Sequence, residues 1–144
     1  MVLRHWIMNS AFHETFLENL DFEEAVSKLV KNLRSSGFGV LGDISIDGVL
    51  KEKTGTQIRP IRVIEVCKPP FALAAIEKNR DLAQVMPCRI TLFAEGIGTR
   101  ISLYRPTVAM KLVGSNVEEL ASMVEKELVL AIEGLGESNR EFTR

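Results

Sequence analysis

Ile58-Arg59-Pro60-Ile61-Arg62-Val63-Ile64-Glu65-Val66-Cys67-Lys68-Pro69-Pro70 runs, after a helical excursion, into Met86-Pro87-Cys88-Arg89-Ile90, and two cysteines bracket that excursion. Pro60 cannot donate to a ladder and suits the first position of a strand. From there Ile61, Val63, Glu65 and Cys67 share one face, and Arg62, Ile64, Val66 and Lys68 the other. Both faces carry apolar groups. Pro69-Pro70 stops the strand and opens a helix over Phe71 to Lys78. Asn79 breaks it, a second short helix follows over Asp81 to Val85, and Pro87 returns the chain to a strand.

Upstream, Ala11 to Phe16 reads as a short strand. Asp21 with Glu24 makes a capping box, and Phe22, Ala25, Val26, Leu29, Val30 and Leu33 form the apolar stripe of a long helix closed by Gly37. Phe38 to Ile46 alternates as a strand with one buried face, and Val49 to Lys53 reads as a helical turn. Downstream, Cys88, Ile90, Leu92 and Ala94 alternate with Arg89, Thr91, Phe93 and Glu95. Gly96 and Gly98 mark a hairpin, and Arg100 to Tyr104 is the answering strand, ended by Pro106. Ser115 with Glu118 offers a second capping box, and Val117 to Leu135 carries a second long amphipathic stripe ended by Gly134 or Gly136, leaving residues 137–144 as a frayed tail.

The expected fold is α+β, a two-layer sandwich in the order β-α-β-β-β-β-α. A four- or five-stranded, mostly antiparallel sheet has two long helices on one face. At 144 residues and 46% hydrophobic, the chain has room for one core, so residues 1–144 are read as a single domain. A net charge of -1 argues against a general polyanion binder. Arg4 and His5 interrupt the apolar character of Met1 to Ser10, and no apolar run approaches the roughly 18 residues of a membrane helix. The expected address is the cytoplasm.

Three groups of residues stand out. Glu65 is the residue that folding explains least, because its parity sets a carboxylate beside Val63 and Cys67 on an expected apolar face. Cys67 ends one strand and Cys88 begins another; if those strands are antiparallel neighbours, opposed residues lie about 4.5–5.5 Å apart, within disulfide range. Free thiols, a bridge and a reactive pair all remain open. His5 and His13 are remote in sequence, which leaves a Cys-His pair open but without support from spacing and makes no recognisable zinc spacing, and no metal or cofactor is expected. Finally, the face opposite the helices is expected to collect Arg62, Ile64, Val66, Lys68, Arg89, Thr91, Phe93, Arg100, Ser102 and Tyr104. Such a patch favours a homodimer through Ile64, Val66, Phe93 and Tyr104, with single-stranded nucleic acid or an anionic ligand as the sharper alternative.

At Glu65-Val66-Cys67-Lys68-Pro69 together with Met86-Pro87-Cys88-Arg89, the chain resembles the family catalogued as domain of unknown function 302. Ser36-Gly37-Phe38-Gly39-Val40, Lys51-Glu52-Lys53 and Arg59-Pro60 extend the likeness, which runs from Asp21 to about Pro106 within a family-like core of about residues 11–135. The resemblance implies a fold like that of the TATA-binding protein, a homodimer, and no assigned reaction. The chain departs from the family pattern at Lys68, where Asn is usual, and at Arg105, where an acidic residue is frequent. These readings lead to a small homodimeric binding or accessory protein rather than an enzyme. Glu65, Cys67, Cys88, Arg62 and Lys68 are its candidate ligand contacts, and a thiol-dependent reaction at Glu65, Cys67 and Cys88 is the alternative. No nucleotide, metalloprotease or serine-hydrolase motif occurs.

Overall fold

The computed structural model of the protein describes residues 10–114 and 116–142, and side chains as far as residue 136. Its elements are β1 (Phe12–Glu18), α1 (Phe22–Ser35), β2 (Gly39–Ser45), α2 (Ile46–Thr54), β3 (Ile61–Cys67), α3 (Pro69–Lys78), a 3-10 helix (Arg80–Val85), β4 (Cys88–Glu95), β5 (Gly98–Tyr104), α4 (Pro106–Lys111) and α5 (Glu118–Phe142). The five strands form one antiparallel sheet in the order β1-β5-β4-β3-β2. The α+β architecture with two long helices on one sheet face is as expected.

Asp21 caps α1 by accepting a hydrogen bond from the Glu24 amide at 3.3 Å. The other half of the box is not made; the Glu24 carboxylate turns instead to Lys28 four residues on, at 3.1 Å. Ala25, Leu29 and Leu33 of α1 and Leu128, Ile132 and Leu135 of α5 close on Ile64, Val66, Ile90, Leu92, Ile101, Leu103 and Leu17 of the sheet. Each fully buried leucine or isoleucine of that set contributes roughly 1.5–3 kcal/mol relative to exposure. A smaller second core joins Ala75 of α3, Leu82, Met110 of α4 and Val117 and Ala121 of α5.

Four features differ from expectation. The Val49-Lys53 turn is a nine-residue helix, α2, capped by the Ser45 hydroxyl, which accepts from the Gly48 amide at 3.1 Å, and stopped by Gly55 at φ 75°. Residues 106–111 form α4: Pro106 ends β5 and also supplies the fixed φ of a first helical turn. The last helix does not stop at Gly134 or Gly136 but runs to Phe142. Gly134 lies where α5 crosses α1, and a Cβ there would come within 3.2 Å of Asn32 Nδ2, which itself donates to the Ala131 carbonyl at 3.0 Å. Close approach of two helices, rather than termination, is what this glycine permits. Ser115, the expected cap of α5, lies outside the described residues.

The fourth difference is one of parity. β3 pairs with β4 as Val63↔Thr91, Ile64↔Ile90, Glu65↔Arg89 and Val66↔Cys88. Direct partners share a face, so Ile64 and Val66 point at the helices and are fully buried. They are therefore not part of an uncovered patch. Val63, Glu65 and Cys67 take their place on the opposite face, beside Arg89, Thr91 and Phe93. In β2 the register shifts between Val40 and Gly42, so Val40 faces the helices while Gly42 and Ile44 face the other way, and the single buried face expected for this strand is split by a bulge.

Candidate functional site

The C-terminal end of β3, the start of β4 and the end of β5 lie at one end of the antiparallel sheet, and there α3, the 3-10 helix, α4 and the first turns of α5 gather. They enclose a cavity of about 600 Å³, within the range of about 300–1,000 Å³ usual for small-molecule sites. Its inner wall is apolar: Val66, Phe71, Ala72, Ala109, Met110, Leu120 and Val124, with the Cys88 thiol among them. Val85, Met86 and Pro87 continue the wall. Its lip comes from the opposite sheet face and the β2 bulge, with Glu65, Cys67, Arg89, Tyr104 and the exposed Leu41. The cavity thus runs from between the layers, round the end of the sheet, to a polar rim.

Glu65 occupies a glycine-shaped seat. Gly42 is its partner across the bulge, and a Cβ on Gly42 would meet Glu65 Oε1 at 2.5 Å. On the other side Glu65 pairs through the backbone with Arg89. Among the described residues neither side chain has an ion pair or a hydrogen bond. The carboxylate expected on the helix-facing side lies on the other face, half-buried against Gly42 at the lip of the cavity.

The two cysteines are free. Because Val66, not Cys67, opposes Cys88, their side chains leave opposite faces of the sheet, and the directly opposed pair expected from the sequence is not formed. Burial first, and the neighbouring Cys67 thiol second, push the Cys88 thiol from its ordinary 9.0 up to about 11. Among the described residues no histidine lines the cavity. His13 instead meets Glu133 of α5 at 2.8 Å, and Thr15 donates to the same carboxylate at 3.0 Å. His5 lies outside the described residues.

Lys68 reaches the cavity wall from the helix side, where its ammonium sits 5.5 Å from the Phe38 ring, 5.4 Å from the Phe71 ring and 2.8 Å from Glu127. Arg62 is not brought to the site. It lies toward the other end of β3 on the helix face, paired with Glu23 at 2.7 Å and Asp43 at 3.2 Å. Arg105 donates to the Ser10 carbonyl at 2.9 Å and pairs with Glu125, whose other oxygen accepts from the Thr107 hydroxyl at 2.7 Å and the Thr107 amide at 3.1 Å. Both departures from the resembled pattern, Lys68 and Arg105, are thereby matched by acidic residues of α5.

The basic-aromatic character expected of the open face is also reduced. Arg62 and Lys68 belong to the helix side, and Arg100 is neutralised by Glu14 at 2.7 Å and Glu95 at 2.8 Å while stacking 4.0 Å from the Phe93 ring centroid. Phe12 packs edge-on to Tyr104 at 5.3 Å on the same face. Among the described residues no group of three or more His, Cys, Asp or Glu side chains is placed to hold a metal, and no helix is long and apolar enough to cross a membrane.

Residues that sequence reasoning missed are those of α4, chiefly Ala109 and Met110, together with Leu120, Val124 and Leu41. Pro106 followed by five residues without a breaker was the available signal for α4.

A family model described as domain of unknown function DUF302 matches residues 13–135. The crystal structure of an uncharacterised conserved DUF302 protein from Bacillus stearothermophilus superposes with a TM-score of 0.79 at 26% identity, covering 85% of this chain and 95% of that one. A comparison with curated proteins finds no match.

Proposed function

The chain belongs to the domain of unknown function DUF302 family, and from that premise, which attaches no reaction, we propose a small binding protein whose site is the cavity at the end of its sheet. The observation that carries this reading is the cavity itself: about 600 Å³, walled mainly by apolar side chains from four helical segments and the sheet, with few polar groups among its lining. Sites for small organic ligands have this division of labour, apolar walls for affinity and few polar groups for orientation. The thiol-dependent alternative has less behind it, since Cys88 holds its proton far above neutral pH and, among the described residues, no histidine lines the cavity. Free thiols suit a reducing compartment, and a cytoplasmic address is part of the same reading.

Self-association is a second element of the proposal. Phe12 and Ile44, 42% and 38% exposed, lie with Phe93 and Tyr104 on the face away from α1 and α5, and a twofold partner presenting the same surface would bury them.

The cavity is tested by filling it. Wild-type protein is expected to enhance the fluorescence of Nile red and to release the dye to decan-1-ol. Ala109→Trp, and independently Leu120→Trp, are expected to weaken dye binding about tenfold or more, with far-UV circular dichroism unchanged. A wild type that binds neither compound, or folded variants that bind as well as wild type, would refute the reading.

A further inference from the structure

We infer that the cavity takes an amphoteric ligand, with an apolar body on the inner wall and a head group that presents a cation to Glu65 and an anion to Arg89. The inference rests on the cavity being the binding site and goes on to name the chemistry it selects.

Three observations converge. First, the cavity is polarised by the sheet. Strand alternation sends Val66 and Cys88 to the helix side, where Val124 and Met110 join them, and sends Glu65 and Arg89 to the rim. A molecule seated there must be apolar at one end and polar at the other. Second, Glu65 and Arg89 are direct partners across the β3–β4 ladder, so their Cα atoms are only about 4.5–5.5 Å apart, yet no ion pair within 4.0 Å joins them. Every other charged side chain that lines the cavity is satisfied: Lys68 by Glu127 and two aromatic rings. Among the described residues, the two charges left over are of opposite sign and adjacent. Third, Gly42 holds the carboxylate's place. The seat under Glu65 exists because position 42 has no Cβ, so the carboxylate lies against the sheet rather than extending toward Arg89.

A head group with one charge would satisfy one partner and leave the other facing a like charge. A simple alkylamine would meet Glu65 but approach the Arg89 guanidinium; a fatty acid would meet Arg89 but approach the Glu65 carboxylate. A head group that carries both signs two or three bonds apart, as in an amino acid or an amino-acid-like amphiphile, meets each with its complement and allows a guanidinium fork on the anion.

The test holds the tail constant and changes the head. Binding of 2-aminodecanoic acid, decylamine, decanoic acid and decan-1-ol is measured by isothermal titration calorimetry at neutral pH, each below its micelle concentration. Since a hydrogen-bonded charge contact is worth about tenfold or more in affinity, 2-aminodecanoic acid is expected to bind about tenfold tighter than either singly charged probe. Glu65→Gln should abolish its advantage over decanoic acid while leaving decan-1-ol unaffected, and Arg89→Gln should abolish its advantage over decylamine. Glu65→Gln preserves side-chain length, Arg89→Gln removes the guanidinium while keeping the stem as far as Cδ, and thermal melts check that both variants fold. If decan-1-ol binds and is lost in Ala109→Trp but 2-aminodecanoic acid shows no advantage, the cavity reading stands and the amphoteric head group is refuted. An advantage that survives in both Gln variants refutes it as well. If no probe binds, the cavity reading fails and this inference fails with it.

Discussion

Raising the pH past 9 should leave Cys88 a protonated thiol when an ordinary cysteine would have ionised, and this decides between a packing cysteine and a reactive one. Burial among Val66, Phe71 and Val124 on the inner wall disfavours the thiolate, and Cys67 nearby adds to the effect, taking the thiol from 9.0 to about 11. Two pKa units lower the thiolate fraction at neutral pH by about 100-fold, and correspond to roughly 3 kcal/mol of preference for the protonated form in the folded chain. The folded-state value is raised above the unfolded one. Its contribution to stability is therefore complete below pH about 9 and is lost as pH climbs toward 11, because the unfolded chain releases the proton first. The assay is iodoacetamide labelling of a Cys67→Ser variant, followed by intact mass from pH 7 to 11. Burial is the larger cause and survives that substitution, so the labelling rate should climb through pH 9 and approach its plateau only well above it. A rate that saturates near pH 8.5 in protein with native circular dichroism would refute the argument, and rapid labelling at pH 7 would restore the thiol-dependent reading.

Gly134→Leu should destabilise the fold by about 1–3 kcal/mol in urea titrations, because its side chain enters the α1–α5 crossing at Asn32; a neutral outcome would mean that the helices can part without cost. Size-exclusion chromatography with light scattering is expected to report a dimer for wild type at tens of micromolar and a monomer for the Phe12→Asp, Phe93→Asp double variant. A monomeric wild type would remove self-association from the proposal.

The two long helices were legible because their signals are redundant. Phe22 to Leu33 repeats its apolar stripe over three turns behind an Asp21 cap, and nothing but a helix buries that set together. The last helix was equally clear until Gly134, where a local rule about glycine met a tertiary contact: stopping a helix and letting another helix approach make the same demand for a missing Cβ. The short α4 had only one turn of apolar spacing, and Pro106, which can end a strand and begin a helix, was read in the first sense alone.

The candidate site's cavity was legible as a place in the fold but not as a geometry. Glu65, Cys67, Lys68 and Cys88 do line one cavity, because strand ends that are close in an antiparallel sheet can be read from strand order. Which face each residue took was hidden in β3, where Ile61, Val63, Ile64 and Val66 leave both parities apolar, and a shift of one residue moves every side chain across the sheet. The cross-strand partners supply what alternation could not: Ile90 and Leu92 are buried against the helices, so Ile64, opposite Ile90, must be as well. Once β3 is turned over, Glu65 ceases to be a misplaced core carboxylate and becomes the neighbour of Arg89 on a rim. Cys88 becomes part of the apolar wall, and among the described residues Glu65 and Arg89 are the charged side chains of the lining that have no ion pair.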